Sequence, residues 1–345
     1  MTQKTQIVIV TNTFDPHADR VLIELRNMGH QPVRLHPAQF PTAASVTLAL
    51  DQQGWNGVLA LPKGILYLGD IRSIWWRRPN SHVLAADLSD QERKYARLET
   101  EHTFTGLWSI LDCYWMSFPL FIRRAANKIE QLQRAARLGF RVPRTLVTND
   151  PARAQEFYET CGGHIIYKAL AQAGLLAHVK PPSALNEAEA TEPEMLEAAA
   201  PEMLYTTLIT PAHLDLLETV RTAPCQFQEL IPKYIELRVT IIGDDLFVCE
   251  IHSQEDERTS LDWRHYEAPI PYKKGTLPPE IAEKCFALMK GYGLNYSAMD
   301  LILTPEGEYV FLENNPAGQC FFIQDQIPEF KMVEAVAAYL LRGNA

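Results

Sequence analysis

A predicted hairpin near the C-terminus constrains the fold of this chain more than any other sequence feature. Residues 298–303 and 309–316 are two largely apolar segments, and Thr304-Pro305-Glu306-Gly307 between them is typical of a tight turn. The pattern therefore predicts two antiparallel strands. Each strand carries one carboxylate, Asp300 on the first and Glu313 on the second, so the hairpin brings two acids onto neighbouring strands.

The acids of this hairpin have the composition of a site for a hard cation. Asn315 follows Glu313 two residues later. Mg²⁺ prefers oxygen ligands, takes one or two carboxylates, and leaves its remaining positions to water and phosphate. Carboxylates on hairpins are also common on solvated surfaces, where they bind nothing. The hairpin alone leaves both interpretations open, and residues elsewhere in the chain have to decide between them.

The size and charge of the chain narrow its possible classes. Its 345 residues exceed what one hydrophobic core usually organises, so we expect two or three domains. A net charge of −10 and the absence of any Lys/Arg cluster longer than two residues argue against a nucleic-acid partner. An acidic protein can still bind ATP, because Mg²⁺ and a few local cations outweigh the overall charge.

The chain shows no sign of a membrane partner or of secretion. No apolar run approaches the ~20 residues that cross a bilayer, and the N-terminal apolar stretch is too short for a signal peptide. The six cysteines are scattered and form no CxxC pair, so neither a zinc site nor a disulfide framework is indicated. These observations predict a cytoplasmic protein with free thiols.

The element patterns divide the chain into three consecutive units of mixed helix and strand, and the predicted fold class is α+β. The first unit, residues 1–118, begins with a strand, a helix and a strand, but residues 12–16 lack the G-x-G-x-x-G glycines of a dinucleotide site. The second unit, residues 119–224, includes an Ala-, Glu- and Pro-rich stretch at 181–203 that is typical of a mobile insertion. The third unit, residues 225–345, is mostly strands.

Two lysines stand where a positive charge needs an explanation. Lys168 lies in the middle of an apolar segment, 164–170, and burying a lysine is costly unless it is paired. Lys128 begins a predicted helix, where the helix dipole disfavours a cation. A phosphate would satisfy both. An ordinary carboxylate beside Lys168 would explain the first lysine as well, and solvent around Lys128 is the simpler explanation of the second.

The end of the first strand of the third unit can present its backbone to a nucleotide base. The four residues before Pro232 can direct N–H and C=O groups to an adenine edge, and the aliphatic side chains among them can stack on the ring. These residues are Gln228, Glu229, Leu230 and Ile231. Nothing in the segment is specific in isolation.

Three charged residues further along the third unit have the chemistry of an anion site. Glu236 and Arg238 are two positions apart in a predicted strand and therefore share one face. Arg264 lies near a turn, after Asp262 and Trp263, and its planar guanidinium suits phosphate or carboxylate. A cross-strand ion pair on a solvated face also accounts for Glu236 and Arg238.

Taken in chain order, from Asn127 through Pro316, these residues resemble the conserved set of the ATP-grasp ligases. The resemblance implies an ATP-grasp fold, with three consecutive α/β units and ATP between the central and C-terminal ones. It implies that Lys128 and Lys168 bind the phosphates of ATP and that residues 228–231 bind adenine. It also implies two Mg²⁺ ions, held by Asp300, Glu313 and Asn315.

More narrowly, several segments are similar to the graspetide (microviridin-type) peptide ligases. They are residues 74–78, 236–240, 253–254, 262–264 and 312–319. This resemblance implies an ATP-dependent ligase that phosphorylates an Asp or Glu side chain of a ribosomal precursor peptide. A Ser/Thr hydroxyl or Lys amine of the same peptide then closes an ester or amide macrocycle. Arg238 and Arg264 would hold the acyl phosphate or the carboxylate, and Glu236 would be a general base or, as we rather expect, the partner of Arg238.

The same resemblance implies a precursor peptide with a leader and a core, and a homodimeric enzyme. Residues 210–220 form a predicted amphipathic helix that is a candidate for binding the leader, although simple packing explains it as well. The last motif departs from the family pattern, because residue 314 is Asn where an apolar residue is usual. We expect that departure to cause only a local change.

Two other functions remain open at this point. An ATP-grasp carboxylate–amine ligase that acts on a small molecule or on a protein C-terminus would carry the same nucleotide-binding residues. A non-catalytic nucleotide-binding scaffold would keep the fold, but the intact lysines, arginines and acidic residues argue against it.

Overall fold

The computed structural model describes residues 4–171, 205–265 and 268–343. Within these ranges the strands form four sheets, and one face of the C-terminal sheet packs toward the N-terminal unit. None of the helices in these ranges is long and apolar enough to cross a bilayer. The insertion predicted at 181–203 lies outside the described residues.

The N-terminal unit combines a parallel sheet with a separate antiparallel sheet. Its elements are β1 (Gln6–Val10), α1 (Pro16–Asn27), β2 (Val33–Leu35), β3 (Ser45–Asp51), β4 (Gly54–Leu61), β5 (Gly64–Tyr67), β6 (Ile71–Trp76), α2 (Asp90–Ile110) and β7 (Tyr114–Met116). The parallel sheet has the order β2-β1-β6-β7 and the antiparallel sheet the order β3-β4-β5. The predicted strand–helix–strand start is confirmed, whereas the antiparallel sheet was not predicted.

Helix α1 begins where the sequence signals place it. Asp15 is its N-cap, and the Oδ1 atom of Asp15 accepts hydrogen bonds from the backbone N–H groups of His17 and Ala18, at 3.1 and 3.3 Å. Pro16 stands in the first turn, and Gly29 after the helix takes a left-handed φ of +85°. The capping fixes His17 and Asp15 at the carboxyl end of β1.

The central unit contains short helices and a four-stranded antiparallel sheet. Its elements are α3 (Pro119–Ala125), α4 (Lys128–Arg137), β8 (Thr145–Thr148), α5 (Pro151–Thr160), β9 (Ile165–Lys168), β10 (Thr207–Leu208), α6 (Pro211–Leu214) and β11 (Cys225–Glu229). The sheet order is β10-β9-β11-β8. Strand β11, predicted to begin the third unit, pairs with β8 and β9 and so belongs to the central sheet. Apart from this strand, the boundaries between the units stay predictions.

The single helix predicted over 210–220 is wrong. The chain forms the one-turn helix α6 and then a separate 3₁₀ segment, Leu217–Thr222. The backbone N–H of Leu216 donates to the carbonyl of His213, three residues back, and Thr219 repeats this pattern with Leu216. Such i→i−3 bonds tighten the chain and interrupt the α-helical period. The segment therefore offers no continuous amphipathic face for a leader peptide.

The C-terminal unit is a five-stranded antiparallel sheet with helices. Its elements are β12 (Ile235–Ile242), β13 (Asp245–Ile251), β14 (Tyr272–Lys274), α7 (Pro279–Gly291), β15 (Tyr296–Leu303), β16 (Tyr309–Asn315), α8 (Phe321–Gln326) and α9 (Met332–Arg342). The sheet order is β14-β13-β12-β15-β16. The predicted hairpin is confirmed as β15 and β16, with Gly307 at a φ of +86° in the turn.

The residues of β12 explain how a polar site arises inside this sheet. All eight of them are buried. Leu237, Val239 and Ile241 pack in one core with α4 and α7. Because side chains alternate along a strand, Glu236 and Arg238 project from the opposite face. That face is also covered, so each of its charges needs a partner within the protein.

We predict that Gly243, in the β12–β13 turn, tolerates alanine much less well than Gly307. Both take a left-handed φ, +60° and +86°, which costs an alanine about 1–2 kcal/mol. A Cβ at Gly243 would also lie 2.0 Å from the ring of Tyr339, whereas nothing lies within 4 Å at Gly307. Tyr339 is held in place because its hydroxyl accepts a bond from the N–H of Asp244 at 2.7 Å.

Thermal unfolding of Gly243→Ala and Gly307→Ala measures this difference. The first variant should lose a further 1–3 kcal/mol or so, as expected for overpacking. Truncating Tyr339 to Leu in the Gly243→Ala background should recover part of that loss. Equal midpoints for the two glycine variants would contradict the prediction.

Candidate active site

A cavity of about 550 Å³ is lined by residues of the central and the C-terminal sheets. The structure brings to it all twelve side chains that the sequence singled out. They are Lys128, Lys168, Gln228, Glu229, Leu230, Ile231, Glu236, Arg238, Arg264, Asp300, Glu313 and Asn315. The structure therefore brings the predicted residues together in one site, while the role of each residue stays a prediction.

Three charged residues lie side by side on adjacent strands of the C-terminal sheet. Arg238 on β12 is opposite Asp300 on β15, and Asp300 is opposite Glu313 on β16. The Nη1 atom of Arg238 is 2.8 Å from both carboxylate oxygens of Asp300, and its Nη2 atom donates to the carbonyl of Gln319 at 2.9 Å. The side chains of Arg238 and Asp300 are only 7% and 14% exposed. This is a mostly buried ion pair and not a surface one.

The amide of Asn315 joins the two acids. Its Nδ2 atom donates to Asp300 at 3.0 Å and to Glu313 at 3.1 Å. The unusual Asn314 beside it is accommodated elsewhere: its Oδ1 accepts a hydrogen bond from the hydroxyl of Ser297. The Asn at residue 314 therefore leaves the Asp300, Glu313 and Asn315 group intact.

The two lysines approach this group from the central unit. The Nζ atom of Lys128 is 3.2 Å from Glu313 and donates to the carbonyl of Ala169 at 2.9 Å. Lys168, at the end of β9, has no hydrogen bond or ion pair with any described residue. Burial is the main cause that lowers the pKa of Lys168, and the charge of Glu313 opposes it. The cavity thus holds a lysine whose charge is only partly compensated.

The two acids differ in how easily they ionise. Burial raises the pKa of Asp300 to about 6, although the charge of Arg238 opposes the rise. Burial also disfavours ionised Glu313, but Lys128 and Lys168 outweigh it and lower the pKa of this carboxyl to about 2. Both are carboxylates at neutral pH, held by cations of the protein.

The donor set suits an ion that is shared with a phosphate. Across residues 4–171, 205–265 and 268–343, no cluster of three or more His, Cys, Asp or Glu is arranged to hold a metal by itself. Asp300, Glu313 and Asn315 provide only two carboxylates and one amide, all within one hydrogen-bonded group. Mg²⁺ characteristically takes one or two carboxylates and completes its octahedron with phosphate and water.

The partner predicted for Glu236 is wrong. Arg238 binds Asp300, whereas the Oε1 atom of Glu236 accepts from Lys233 at 2.9 Å and from the hydroxyl of Ser253 at 2.8 Å. The alternation along β12 places Glu236 and Arg238 on one face, but the cross-strand neighbours decide which charges meet. Glu236 lies opposite Ile302 and Ile251, so its partner comes from the loop before β12.

Arg264 forms an ion pair with its own neighbour, Asp262. Two nitrogens of the guanidinium bind the two oxygens of Asp262, which also accepts the backbone N–H of Thr206 at 3.0 Å. Burial opposes ionisation of Asp262, but Arg264 and these hydrogen bonds lower its pKa. The arginine is thereby oriented at the rim of the cavity, beside the ring of Tyr205.

The strand end at 228–231 is only partly free to bind a base. The side chain of Gln228 donates to the hydroxyl of Thr145, and that of Glu229 binds Arg144. The backbone N–H of Leu230 donates to the carbonyl of His164 at 2.9 Å, so it is not available to adenine. Ile231 packs with apolar residues of β15 and β16 and closes that end of the cavity.

Two cationic side chains of the cavity were missed as site residues. Arg78 follows β6 and Lys233 precedes β12, and both line the cavity. The spacing of Lys233 and Glu236 gave a weak signal for the second. Arg78 was part of a motif similar to the graspetide ligases, but nothing local indicated that the N-terminal unit reaches the site.

Comparison with known proteins shows what the chain is similar to. Residues 6–119 match the model of the MvdD pre-ATP grasp domain. The chain is similar to macrocyclase MdnC from Microcystis aeruginosa MRC, solved with precursor peptide MdnA, at 28% identity, with 98% of this chain and 100% of that one covered and a TM-score of 0.81. Over nearly its whole length the chain is thus similar to the ATP-grasp macrocyclases of ribosomal precursor peptides.

Further solved structures support the fold over nearly the whole chain. A RiPP-associated ATP-grasp ligase from Chryseobacterium gregarium, solved with ADP and a leader and core peptide, is 27% identical, with 97% of this chain and 96% of that one covered and a TM-score of 0.82. The ATP-grasp ligase PsnB, solved with a phosphomimetic variant of minimal precursor, Mg and ADP, is 21% identical, with 99% of each chain covered and a TM-score of 0.70. A search among curated proteins found no match. The ATP-grasp fold predicted from the sequence is confirmed.

We predict that Arg238 stabilises this protein mainly by neutralising Asp300. Arg238→Met leaves a buried carboxylate without its cation and should lower the free energy of unfolding by about 3–5 kcal/mol. Adding Asp300→Asn removes the stranded charge and should recover most of that loss. Urea titration of the two variants gives the comparison.

The exposed pair Arg153–Glu156 provides the matched control, since both of its side chains are more than 60% exposed. Arg153→Met should change the free energy of unfolding by less than about 1 kcal/mol. The prediction fails if the double variant is no more stable than Arg238→Met alone.

Proposed function

We propose that this enzyme uses ATP to phosphorylate an Asp or Glu side chain of a ribosomal precursor peptide and then closes an ester or amide macrocycle. The observation that carries the proposal is the continuous line of charge in the cavity, from Lys168 and Lys128 through Glu313 and Asp300 to Arg238. Transfer of a phosphoryl group to a carboxylate brings two anions together, and this line supplies the charges that allow it.

The nucleotide would occupy the end of the cavity formed by the central unit. Lys128 and Lys168 would bind its phosphates, which would give Lys168 the anionic partner that no described residue provides. The adenine would lie against residues 228–231, with Ile231 and Ile166 contacting the ring. Because the N–H groups of Glu229 and Leu230 already donate to the carbonyls of Arg144 and His164, the backbone N–H of Ile231 would form the hydrogen bond to the base.

Asp300, Glu313 and Asn315 would hold Mg²⁺ beside the phosphates, and two ions are expected from the family. When bound, Mg²⁺ would neutralise the negative charge that develops on the phosphates during transfer. Asn315 now presents its Nδ2 to both acids, so it would have to turn its amide and present Oδ1 instead. Lys128 and Arg238 keep the two carboxylates ionised until then.

The reaction would proceed in two steps, phosphoryl transfer and then ring closure. An oxygen of the peptide carboxylate attacks the γ-phosphorus of ATP, the bond from that phosphorus to the bridging oxygen breaks, and ADP leaves. A hydroxyl or amine of the same peptide then attacks the carbonyl carbon of the acyl phosphate, and inorganic phosphate leaves. Arg238 and Arg264 would hold the acyl phosphate in line for the second step.

Glu236 is the proposed acceptor for the proton that the nucleophile releases in the second step. Lys233 and Ser253 both bind its Oε1, which fixes the carboxylate and leaves its Oε2 without a hydrogen bond among the described residues. This supports a base role better than the ion-pair role with Arg238. The family resemblance also supports a homodimer in the cytoplasm, which light scattering and cell fractionation would test.

The product experiment tests the function directly. A short open reading frame beside this gene, with Thr or Ser and Asp or Glu repeated in its product, would provide the candidate peptide. The purified enzyme, ATP and Mg²⁺ should release ADP and lower the mass of the peptide by one water for each ring. ADP release with free glutamate or with a protein C-terminus, but none with the peptide, would instead favour a ligase of the other kind.

We predict that Lys168→Met separates nucleotide binding from stability. The change removes a half-buried cation that lacks an ion pair among the described residues, so the thermal midpoint of the free protein should stay the same or rise. The same change should weaken ATP binding about 10- to 100-fold, since a hydrogen bond to a charged group contributes about 1.5–3 kcal/mol. Calorimetric titration with Mg·ATP and a thermal scan give the two values.

Lys94→Met, on the exposed surface of α2, is the matched control and should alter neither value. If Lys168 serves a structural ion pair, Lys168→Met will lower the thermal midpoint and leave ATP affinity close to that of the wild type, which is the opposite pattern.

A further inference from the structure

The parallel sheet of the N-terminal unit has a topological switch point between β1 and β6. The chain leaves β1 for β2 on one side and leaves β6 for β7 on the other, so the sheet order reverses between β1 and β6. Helices α1 and α2 accordingly pack on opposite faces. In open α/β sheets, ligands bind in the crevice outside the carboxyl ends of the strands at such a point. Arg77 and Arg78 follow β6 at this position.

The two arginines at this position use their guanidinium groups differently. Arg77 is buried, and its Nη1 donates to the carbonyls of Ala317 and Gly318 at 3.2 Å, while its Nε is 3.4 Å from Asp15. Arg78 donates only through Nε, to the carbonyl of Ala317 at 3.3 Å. Among residues 4–171, 205–265 and 268–343, its two terminal nitrogens have no hydrogen bond and no carboxylate within 4 Å.

Arg78 lines the same cavity as Arg238 and Asp300. The other two arginines of the cavity are occupied, Arg238 by Asp300 and the carbonyl of Gln319, Arg264 by Asp262. Burial, and next the charge of Arg77, lower the pKa of Arg78. Since arginine does not deprotonate in proteins, this environment favours the arrival of an anion.

The position of Arg78 distinguishes between the two anions of the reaction. Lys128 and Lys168 come from the central unit and meet the acid group at Glu313, on the edge strand β16. Arg238 stands two strands away, and the loop that Arg78 contacts, residues 316–320, reaches Arg238 through the carbonyl of Gln319. Arg78 and the two lysines proposed to bind the phosphates therefore approach the acid pair from different sides.

We propose that Arg78 binds the side-chain carboxylate of the peptide residue that is to be activated, presenting it to the nucleotide from the N-terminal side. The free edge of its planar guanidinium matches the two oxygens of a carboxylate. This inference rests on the proposed function, because it assigns a residue to the acceptor of that reaction. It makes the N-terminal unit part of the substrate site and gives the unit a role beyond holding the loop.

The test uses the full-length enzyme, the peptide of the neighbouring reading frame, and the same peptide with its ring-forming Glu or Asp changed to Gln or Asn. Binding is measured with a non-hydrolysable ATP analogue and Mg²⁺ present, and ring closure with ATP. Arg78→Ala should raise the KM for the acidic peptide about 10- to 100-fold, the range expected for one charged hydrogen-bonding partner. It should leave the affinity for ATP unchanged.

Charge recognition gives the sharper readout. The wild type should bind the acidic peptide more tightly than its amide counterpart, and Arg78→Ala should bind both alike. Arg78→Lys, which keeps the charge but loses the fork, should recover part of the discrimination. Arg97→Ala, on the exposed surface of α2, is the matched arginine control and should behave as the wild type.

Three outcomes overturn the proposal. In the first, Arg78→Ala keeps the wild-type preference for the acidic peptide. In the second, its ATP affinity falls in parallel with peptide affinity, which marks a phosphate ligand or a structural residue. In the third, the wild type binds the acidic peptide and its amide counterpart equally tightly. This measurement needs only the wild type, so it tests the proposal even if Arg78→Ala does not fold. If the wild type forms no ring, the proposed function itself is wrong, and the role of Arg78 that rests on it is wrong as well.

Discussion

The buried contact between Arg238 and Asp300 depends on more than one strand pair. Burying a charge on a covered sheet face is costly unless a partner of opposite charge and further hydrogen bonds compensate it. Arg238 obtains its second partner, the carbonyl of Gln319, from the loop that follows β16. Gly318 allows this loop to come so close, because a Cβ there would lie 2.9 Å from Asn315 and 3.0 Å from Arg238. The ion pair and the path of the loop are therefore stable only together.

The N-terminal unit holds the other side of this loop. Arg77 donates to the carbonyl of Gly318 at 3.2 Å, and the Nε2 atom of His17 accepts the backbone N–H groups of Cys320 and Phe321, both at 3.1 Å. Burial first, and then the charge of Arg77, lower the pKa of His17 to about 3. The ring is thus neutral at neutral pH, with a lone pair free to accept. The N-terminal unit, which lacks a nucleotide-binding motif, thus helps to position the group of Asp300, Glu313 and Asn315.

Local patterns predicted those parts of the protein that neighbouring residues decide. The turn residues at 304–307 and the apolar segments around them predicted the β15–β16 hairpin, because turn chemistry and strand period act over a few residues. The alternation in β12 predicted that Glu236 and Arg238 share a face. The order of the charged residues predicted one composite site, and the structure brings all twelve to one cavity.

The same patterns failed where distant segments compete. Strand β11 follows the central helices and precedes β12, and only its long-range pairing with β8 and β9 shows to which sheet it belongs. The apolar period over 210–220 indicated one helix, but the chain breaks into two short segments there. Arg238 pairs with Asp300, 62 positions away, instead of with Glu236, because the nearest residue across a sheet is on another strand.

By itself, the sequence determined the α+β class, the hairpin that carries two acids, and the set of residues from which an ATP-grasp site is assembled. These depend on residue type, short-range period and order, all of which are written along the chain. The tertiary structure decided the partner of each charge and the approach of Arg78 to the cavity. It also decided that Lys128 forms an ion pair with Glu313, whereas Lys168 forms none with a described residue. Those outcomes depend on which strands and loops come together across tens to hundreds of residues. A local sequence pattern does not specify which distant segments pair.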